Sequence, residues 1–420
     1  MTLKRIFPIL LIVFTNLLGA GVILPVLPLY AVGQMGATAQ QAALLGTAFF
    51  GAQFLAAPWL GRLSDRYGRR PILLVSQIGT VFSFILFIFA VPLGMWLDSR
   101  GIPSGISGGL AMLFVARILD GLTGGNITAA RAYISDVTGP EERATSMGYL
   151  SAAFGAGFIF GPAFGGLLGS LGPVVPFMGA AIITAATFVL TLYTLDESHP
   201  PEVRGQTEAV ERERIPLRQV FANRPLFLVM LTGFLGTVAF AAVPPTFALY
   251  VDQVVLVDVV DRSSVPGRIG LMLAFMGVFT VLTQAVFYRP LVKRLRERKL
   301  IVVGQIVFMF SVIAIGLITD PIVLTLGMAP FAFGRGVTDP TLQALVTRFG
   351  DGQVQGQLLG LFQSAVSMAM IIGPIWAGWI YQNIGPGETY LASGLLLLGG
   401  IFTSLLLLRE RSLDLAPQTA

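Results

Sequence analysis

The sequence predicts an all-α membrane protein whose twelve helices cross the bilayer as two pseudo-symmetric bundles of six. Three observations carry that prediction. Only 12% of the residues are charged against 55% hydrophobic, with a mean hydropathy of +0.79. A water-soluble domain is about 25% charged, so most of this surface must meet lipid. Apolar runs of about 20 residues, the length a helix needs to cross roughly 30 Å of hydrocarbon, recur from one end of the chain to the other. One long polar segment, 196–224, interrupts them halfway and divides the chain into 1–195, a linker, and 225–420.

The predicted spans are 6–30, 43–62, 71–95, 107–130, 145–169, 174–195, 226–251, 268–290, 300–318, 321–347, 356–381 and 388–408. A lipid-exposed β-barrel needs strands that alternate apolar and polar, whereas Ile78 to Val91 is apolar on every face. Lys4 and Arg5 precede the first run as in a signal peptide, but that run reaches Tyr30 without a small-residue cleavage site and reads as a retained helix. With both termini in the cytoplasm, most of the 27 basic residues fall in cytoplasmic loops and helix ends, leaving Arg100, Arg262 and Arg268 outside. The net charge of +5 is therefore a topology signal, and no basic face is left for a nucleic acid. The absence of cysteine and the single histidine, His199, exclude disulfides, thiol catalysis and most transition-metal sites, so neither metal nor cofactor is expected.

Taken in chain order, the first informative element is the connection between spans two and three, Gly61-Arg-Leu-Ser-Asp65-Arg66-Tyr-Gly68-Arg69-Arg70. Anchoring arginines explain its positive charge but neither Asp65 nor the glycines. A carboxylate near a helix N-terminus gains about 0.3–1 kcal/mol from the helix dipole, and a contact made in only one of two conformations biases a switch. The outer loop that follows contains Gly105-Ile-Ser107-Gly-Gly109, a match to a hydrolase pattern that lacks the strand and the histidine this chemistry requires. Span four carries Arg117 and Asp120, three apart and able to share a helix face. An ionisable side chain at the bilayer centre costs about 2.5–3.5 kcal/mol on insertion scales, so the two form either a structural ion pair or a proton-handling site.

Span five contains Gly157-Phe-Ile-Phe-Gly161-Pro162-Ala-Phe-Gly165-Gly166, in which glycines four apart allow close helix approach and the proline allows bending. The linker is rich in charge (Glu208, Glu211, Arg212, Glu213, Arg214) and reads as a solvated cytoplasmic segment. Beyond it the pattern repeats. Aligning Gly61 with Arg289 lays the first charged connection over Arg289 to Arg298, with Lys293 opposite Asp65, and sets Gln77-Ile78 over Gln305-Ile306. Aligning Gly148 with Gly360 sets Gly161-Pro162 over Gly373-Pro374. Parallel six-span repeats suit alternating access, in which two similar bundles rock around a central site. Span ten supplies a second pair, Arg335 and Asp339, four apart and just before Pro340.

On these motifs, and on Gly19-Ala-Gly21-Val-Ile-Leu-Pro25-Val-Leu-Pro28 in span one, the chain resembles the major facilitator superfamily, specifically its twelve-span drug/proton antiporters and, within them, the tetracycline efflux group. The resemblance implies that Gly61, Asp65, Arg66, Gly68, Arg69, Arg70 and Asp136 form a gate, with Asp65 against the start of span eleven and Arg69 paired with Asp136. It also implies that the span-five glycines and Pro162 form the motif that accompanies export. Where tetracycline exporters carry acids in spans one and three, this chain has Asn16 and Ser83. A pocket of Asn16, Gln53, Phe54, Gln284, Gln343 and Gln363 is therefore expected to accept an amphipathic compound that need not be tetracycline. The resulting expectation is a non-enzymatic, proton-coupled exporter with Arg117, Asp120, Arg335 and Asp339 as proton-coupling candidates. Its partners would be a small-molecule substrate, protons and the lipid bilayer, and it would work as a monomer in a bacterial cytoplasmic membrane. The alternatives are an uptake symporter for a sugar or organic acid, a lipid translocase, or a sensor that does not transport.

Overall fold

A computed structural model describes residues 2–102, 105–124, 126–199, 217–350 and 353–410. Gly125 and the charged part of the expected linker, including Glu208, Glu211, Arg212, Glu213 and Arg214, lie outside the described residues. The first half runs α1 (Thr2–Met35), α2 (Ala39–Tyr67), α3 (Arg69–Ile88), α4 (Ala90–Asp98), α5 (Gly108–Thr123), α6 (Asn126–Val137), α7 (Pro140–Gly169) and α8 (Val175–Thr194). The second runs α9 (Leu217–Ala222), α10 (Arg224–Ala241), α11 (Val243–Tyr250), α12 (Val265–Leu282), α13 (Tyr288–Leu317), α14 (Pro321–Thr347), α15 (Gln353–Asn383) and α16 (Pro386–Arg409).

Helix starts follow local chemistry. Thr38 and Gln41 close a reciprocal capping box on α2, while Ser107, Asn223 and Asp320 cap α5, α10 and α14 with their side chains. Ten described segments are long and apolar enough to cross a membrane. One of these, Arg262–Leu317, has 56 residues and breaks at Arg296, so it makes two passages. Adding α14, whose 27 residues include Arg335 and Asp339, gives the twelve expected. Large apolar side chains such as Leu55, Ile182, Leu271, Phe310 and Leu395 are exposed, the arrangement lipid requires and water penalises. The protein is a multi-pass membrane protein.

Several boundaries differ from expectation. The segment 61–70 is not a turn: α2 continues through Tyr67 and α3 begins at Arg69, so Gly68 alone breaks the helix, at φ +102° and ψ 167°. This backbone region is essentially restricted to glycine, which explains the residue found there. Span three breaks at Phe89, and span four breaks at Gly124 and then continues to Val137, which puts Asp136 on a helix end.

The chain divides into two compact units, Met1–Val210 with Phe247–Ala274, and Glu211–Thr246 with Phe275–Ala420. Residues 247–274, assigned by sequence to the second bundle, thus pack with the first unit. The reason lies in a seam of small residues: a Cβ on Gly166 or Gly270 would collide with the backbone of the other helix, and one on Gly169 would meet Pro266 at 2.8 Å. Within the first unit, Ile9, Val13, Leu73, Ala130 and Ile134 form part of an apolar core. In the second, Val229, Ile301, Leu342, Val346 and Phe362 do the same.

Candidate functional site

Arg69 is the hub of the charged connection. Its Nη1 donates to Asp65 Oδ1 at 2.6 Å and to Ser64 Oγ at 3.1 Å, and its Nε donates to Asp136 Oδ2 at 3.1 Å. The Arg69 and Asp136 side chains are 11% and 24% exposed, whereas Asp65 is 69% exposed. Asp136 Oδ2 also accepts from Ser198 Oγ at 3.1 Å. Arg70 Nη2 reaches the Leu192 carbonyl at the end of α8, 2.7 Å away, where a cation complements the helix dipole. Arg66 lies 5.4 Å from the Tyr67 ring, and Gly61 faces open space. Sequence reasoning missed Glu197, whose two carboxylate oxygens accept the backbone N–H groups of Arg69 at 2.9 Å and Arg70 at 3.2 Å and so cap α3. No local pattern could have revealed it, because the cap arrives from the far end of α8.

Each unit holds one of the expected Arg/Asp pairs inside a membrane helix. In the first, Arg117 Nη1 donates to Asp120 Oδ2 at 3.2 Å and Nε to the Leu45 carbonyl at 3.4 Å, with the guanidinium 4.1 Å from the Phe49 ring. Thr80 donates to Asp120 Oδ1 at 3.1 Å. In the second, Arg335 and Asp339 are 2.8 Å apart, and the guanidinium stands 4.6 Å from the Phe240 ring and 5.8 Å from Phe308. The Asp120 side chain is 13% exposed and that of Asp339 is 37% exposed. The first pair is therefore held from three helices, and the second is more accessible.

The span-five motif presents two faces. Gly157, Gly161 and Gly165 lie against α1, where a Cβ on Gly161 would stand 2.8 Å from the Gly21 Cα and one on Gly165 2.6 Å from the Val22 backbone. Gly166 and the Pro162 carbonyl turn the other way, toward Gly270 on α12, whereas the Pro162 ring stays against Gly21 of α1. The expected cavity residues do not share one environment. The Asn16 side-chain amide is buried with neither atom hydrogen-bonded, and Gln53 donates to the Gly124 carbonyl at 3.2 Å, at the break in span four. Phe54 is half-buried, whereas Gln284, Gln343 and Gln363 are exposed. A cavity of about 320 Å³ lies elsewhere in the first unit, lined by Tyr30, Gln34, Ser170, Arg262 and Pro266 among others, and none of the six lines it.

Many apolar passages, ion pairs inside two of them and glycine-packed helices define a polytopic transporter rather than an enzyme. The chain belongs to the Major Facilitator Superfamily, which matches residues 9–258 and 259–419. It is 30% identical to the class D tetracycline resistance protein of Salmonella ordonez, over 96% of each chain. It is 32% identical to the class C protein of Escherichia coli, over 86% of each chain. Multidrug resistance protein 2 of Bacillus subtilis (strain 168) is 27% identical, over 95% of this chain and 94% of that protein. Among solved structures, the nucleoside transporter NupG superposes with a TM-score of 0.74 at 12% identity, covering 98% of this chain and 100% of NupG. A D-xylose-proton symporter superposes with a TM-score of 0.72 at 15% identity, over 96% of each chain. These two likenesses establish the fold.

Proposed function

We propose that the protein is a secondary active exporter of an amphipathic small molecule, driven by proton entry, in a bacterial cytoplasmic membrane with both termini on the cytoplasmic side. The observation that carries this reading is the near-full-length kinship to proteins named for tetracycline and multidrug resistance. The Arg117–Asp120 and Arg335–Asp339 pairs support proton coupling, because ionisable groups inside membrane helices are costly and mark ion pathways. The driving force suffices: one charge crossing 100 mV is worth about 2.3 kcal/mol, and at about 1.4 kcal/mol per tenfold that sustains a gradient of roughly 50-fold.

In this reading the two six-span bundles alternate access to a central cavity, and the Asp65–Arg69–Asp136 cluster holds one of the two states. The monomer is the working unit. Asn16, an unpartnered buried amide, is the strongest of the six cavity candidates, since a polar substrate group would satisfy it. A pump-deficient bacterium expressing the chain, grown against a panel of toxic amphipathic compounds, tests the reading. Raised tolerance that disappears with a proton ionophore is the expected result. Unchanged tolerance across the panel, together with accumulation of a sugar or organic acid, would replace export by uptake.

A further inference from the structure

Hydropathy ends span four at 130 and would leave Arg131 in a loop, whereas α6 carries the helix on to Val137. Arg131 therefore sits on a membrane helix, five residues before Asp136. At 1.5 Å per residue that is about 7.5 Å along the helix from the charged cluster at its end. Its surroundings set it apart from Arg117 and Arg335, each of which pairs with an aspartate three or four residues further along. The same spacing from Arg131 reaches Ile134 and Ser135 on one side and Ile127 and Thr128 on the other, none of them acidic. Asp136 is taken by Arg69 and Ser198. Among the described residues Arg131 makes no hydrogen bond and no ion pair, and its guanidinium lies 6.0 Å from the Phe154 ring of α7.

The face that carries this arginine is not a lipid face. Ala129, Ala130, Tyr133 and Ile134 of α6 are buried in the core of the first unit. On the other side α6 exposes Thr128 and Arg131, with Ser135 half-buried one turn further on. No large exposed apolar side chain among the described residues belongs to α6, whereas α8 shows Ile182 and Val189 and α3 shows Val75 and Phe82. Charged side chains on membrane helices face water-filled space or a partner, and mark substrate pathways. We propose that Arg131 recognises an anionic group on the transported compound, so that the substrate class is an amphipathic molecule carrying a carboxylate or similar oxyanion beside an aromatic or aliphatic body. The guanidinium offers planar donors for the oxyanion, and a charge-assisted hydrogen bond of this kind is about twice as strong as a neutral one. Phe154, half-buried against the same core, offers an apolar surface beside it. Arg117 and Arg335 would have to surrender their aspartates to bind an anion, and Arg131 surrenders nothing. A lipid phosphate shares the chemistry, but the polar stripe favours a ligand that arrives from water. The proposal rests on the export reading, whose substrate class it names.

2-Naphthoate and 2-naphthamide share one ring system and differ in charge, so the ratio of their dissociation constants for the purified full chain in neutral detergent isolates the charge contact. The parent should bind the carboxylate about tenfold more tightly than the amide, and Arg131→Gln should bring the ratio to within about threefold of one. A parent without the preference, or a preference that survives Arg131→Gln, would overturn the proposal. Because the chain has no cysteine, Arg131→Cys can be modified by methanethiosulfonates at that position alone. An aminoethyl reagent, which returns a cation, should restore the preference, and a sulfonatoethyl reagent should not. That comparison is made within one folded variant and decides the matter even where Arg131→Gln does not fold. A thiol that reacts with neither reagent would show that the face is dry and overturn the assignment. Phosphatidylglycerol added to the micelles should leave naphthoate binding unchanged, whereas displacement would give the cation to a lipid headgroup and overturn the substrate class. Flux in proteoliposomes separates this proposal from the reading beneath it. Ethidium export without a carboxylate preference discards the anion site and keeps export, and a preference without flux of ethidium or naphthoate keeps the site and discards export.

Discussion

Replacing Gly161 by alanine puts the helix-packing argument to a quantitative test. The added Cβ would stand 2.8 Å from the Gly21 Cα and 2.9 Å from the Leu18 carbonyl oxygen. Carbon atoms rest at about 3.5–4.0 Å, so α1 and α7 must move apart by about 1 Å. Both obstructing atoms are backbone, and no side-chain tip can swing away. Overpacking of this kind costs about 1–3 kcal/mol. Gly148 provides the control: it lies on the same helix, is exposed, and has nothing within 4 Å of an added Cβ. Alanine there should gain up to about 1 kcal/mol from helix propensity. The assay is denaturant unfolding of the purified variants in detergent micelles, followed by circular dichroism. Gly161→Ala is expected to unfold earlier than the parent, and Gly148→Ala at or beyond the parental midpoint. If Gly161→Ala proved as stable as Gly148→Ala, the close crossing of α1 and α7 would be refuted.

Other perturbations follow from the same coordinates. Arg296→Gly should raise stability by about 1–2 kcal/mol, the relief of about 1–3 kcal/mol of backbone strain less the entropy glycine adds to the unfolded chain, and the unfolding midpoint reads it directly. An unchanged or lower midpoint would contradict the backbone assigned at that position. Glu197→Ala removes the cap from α3 and should cost about 1 kcal/mol, with faster hydrogen exchange at the Arg69 and Arg70 amides. Exchange that stays at the parental rate would show that another group caps the helix.

Much of this architecture is visible in the sequence because lipid imposes a strong constraint. Apolar runs of membrane length can only be helices, whereas the packing of 247–274 with the first unit leaves no mark on the hydropathy pattern. The repeat is equally readable: the aligned Gln77 and Gln305 are both fully buried, each with an unpartnered Oε1. Pairs within one helix, Arg117 with Asp120 and Arg335 with Asp339, follow from helical spacing, and both are present. Contacts between helices leave no such trace. Thr80 on Asp120, Glu197 on α3 and Glu297 on Arg348 join residues far apart in sequence. Around 61–70 the helices outrun the apolar segments, because charged side chains continue a helix that hydropathy alone would stop.

The central claim is that proton entry through the Arg/Asp pairs within the helices drives outward movement of an amphipathic compound. Proteoliposomes carrying an imposed pH gradient test it most directly, with ethidium or tetracycline flux measured for the parent and for Asp120→Asn and Asp339→Asn. Flux in the parent that follows the gradient and collapses with an ionophore, with coupling lost in at least one of the two variants, is the predicted result. Parental flux that ignores the gradient, or coupling that survives intact in both variants, would contradict the account.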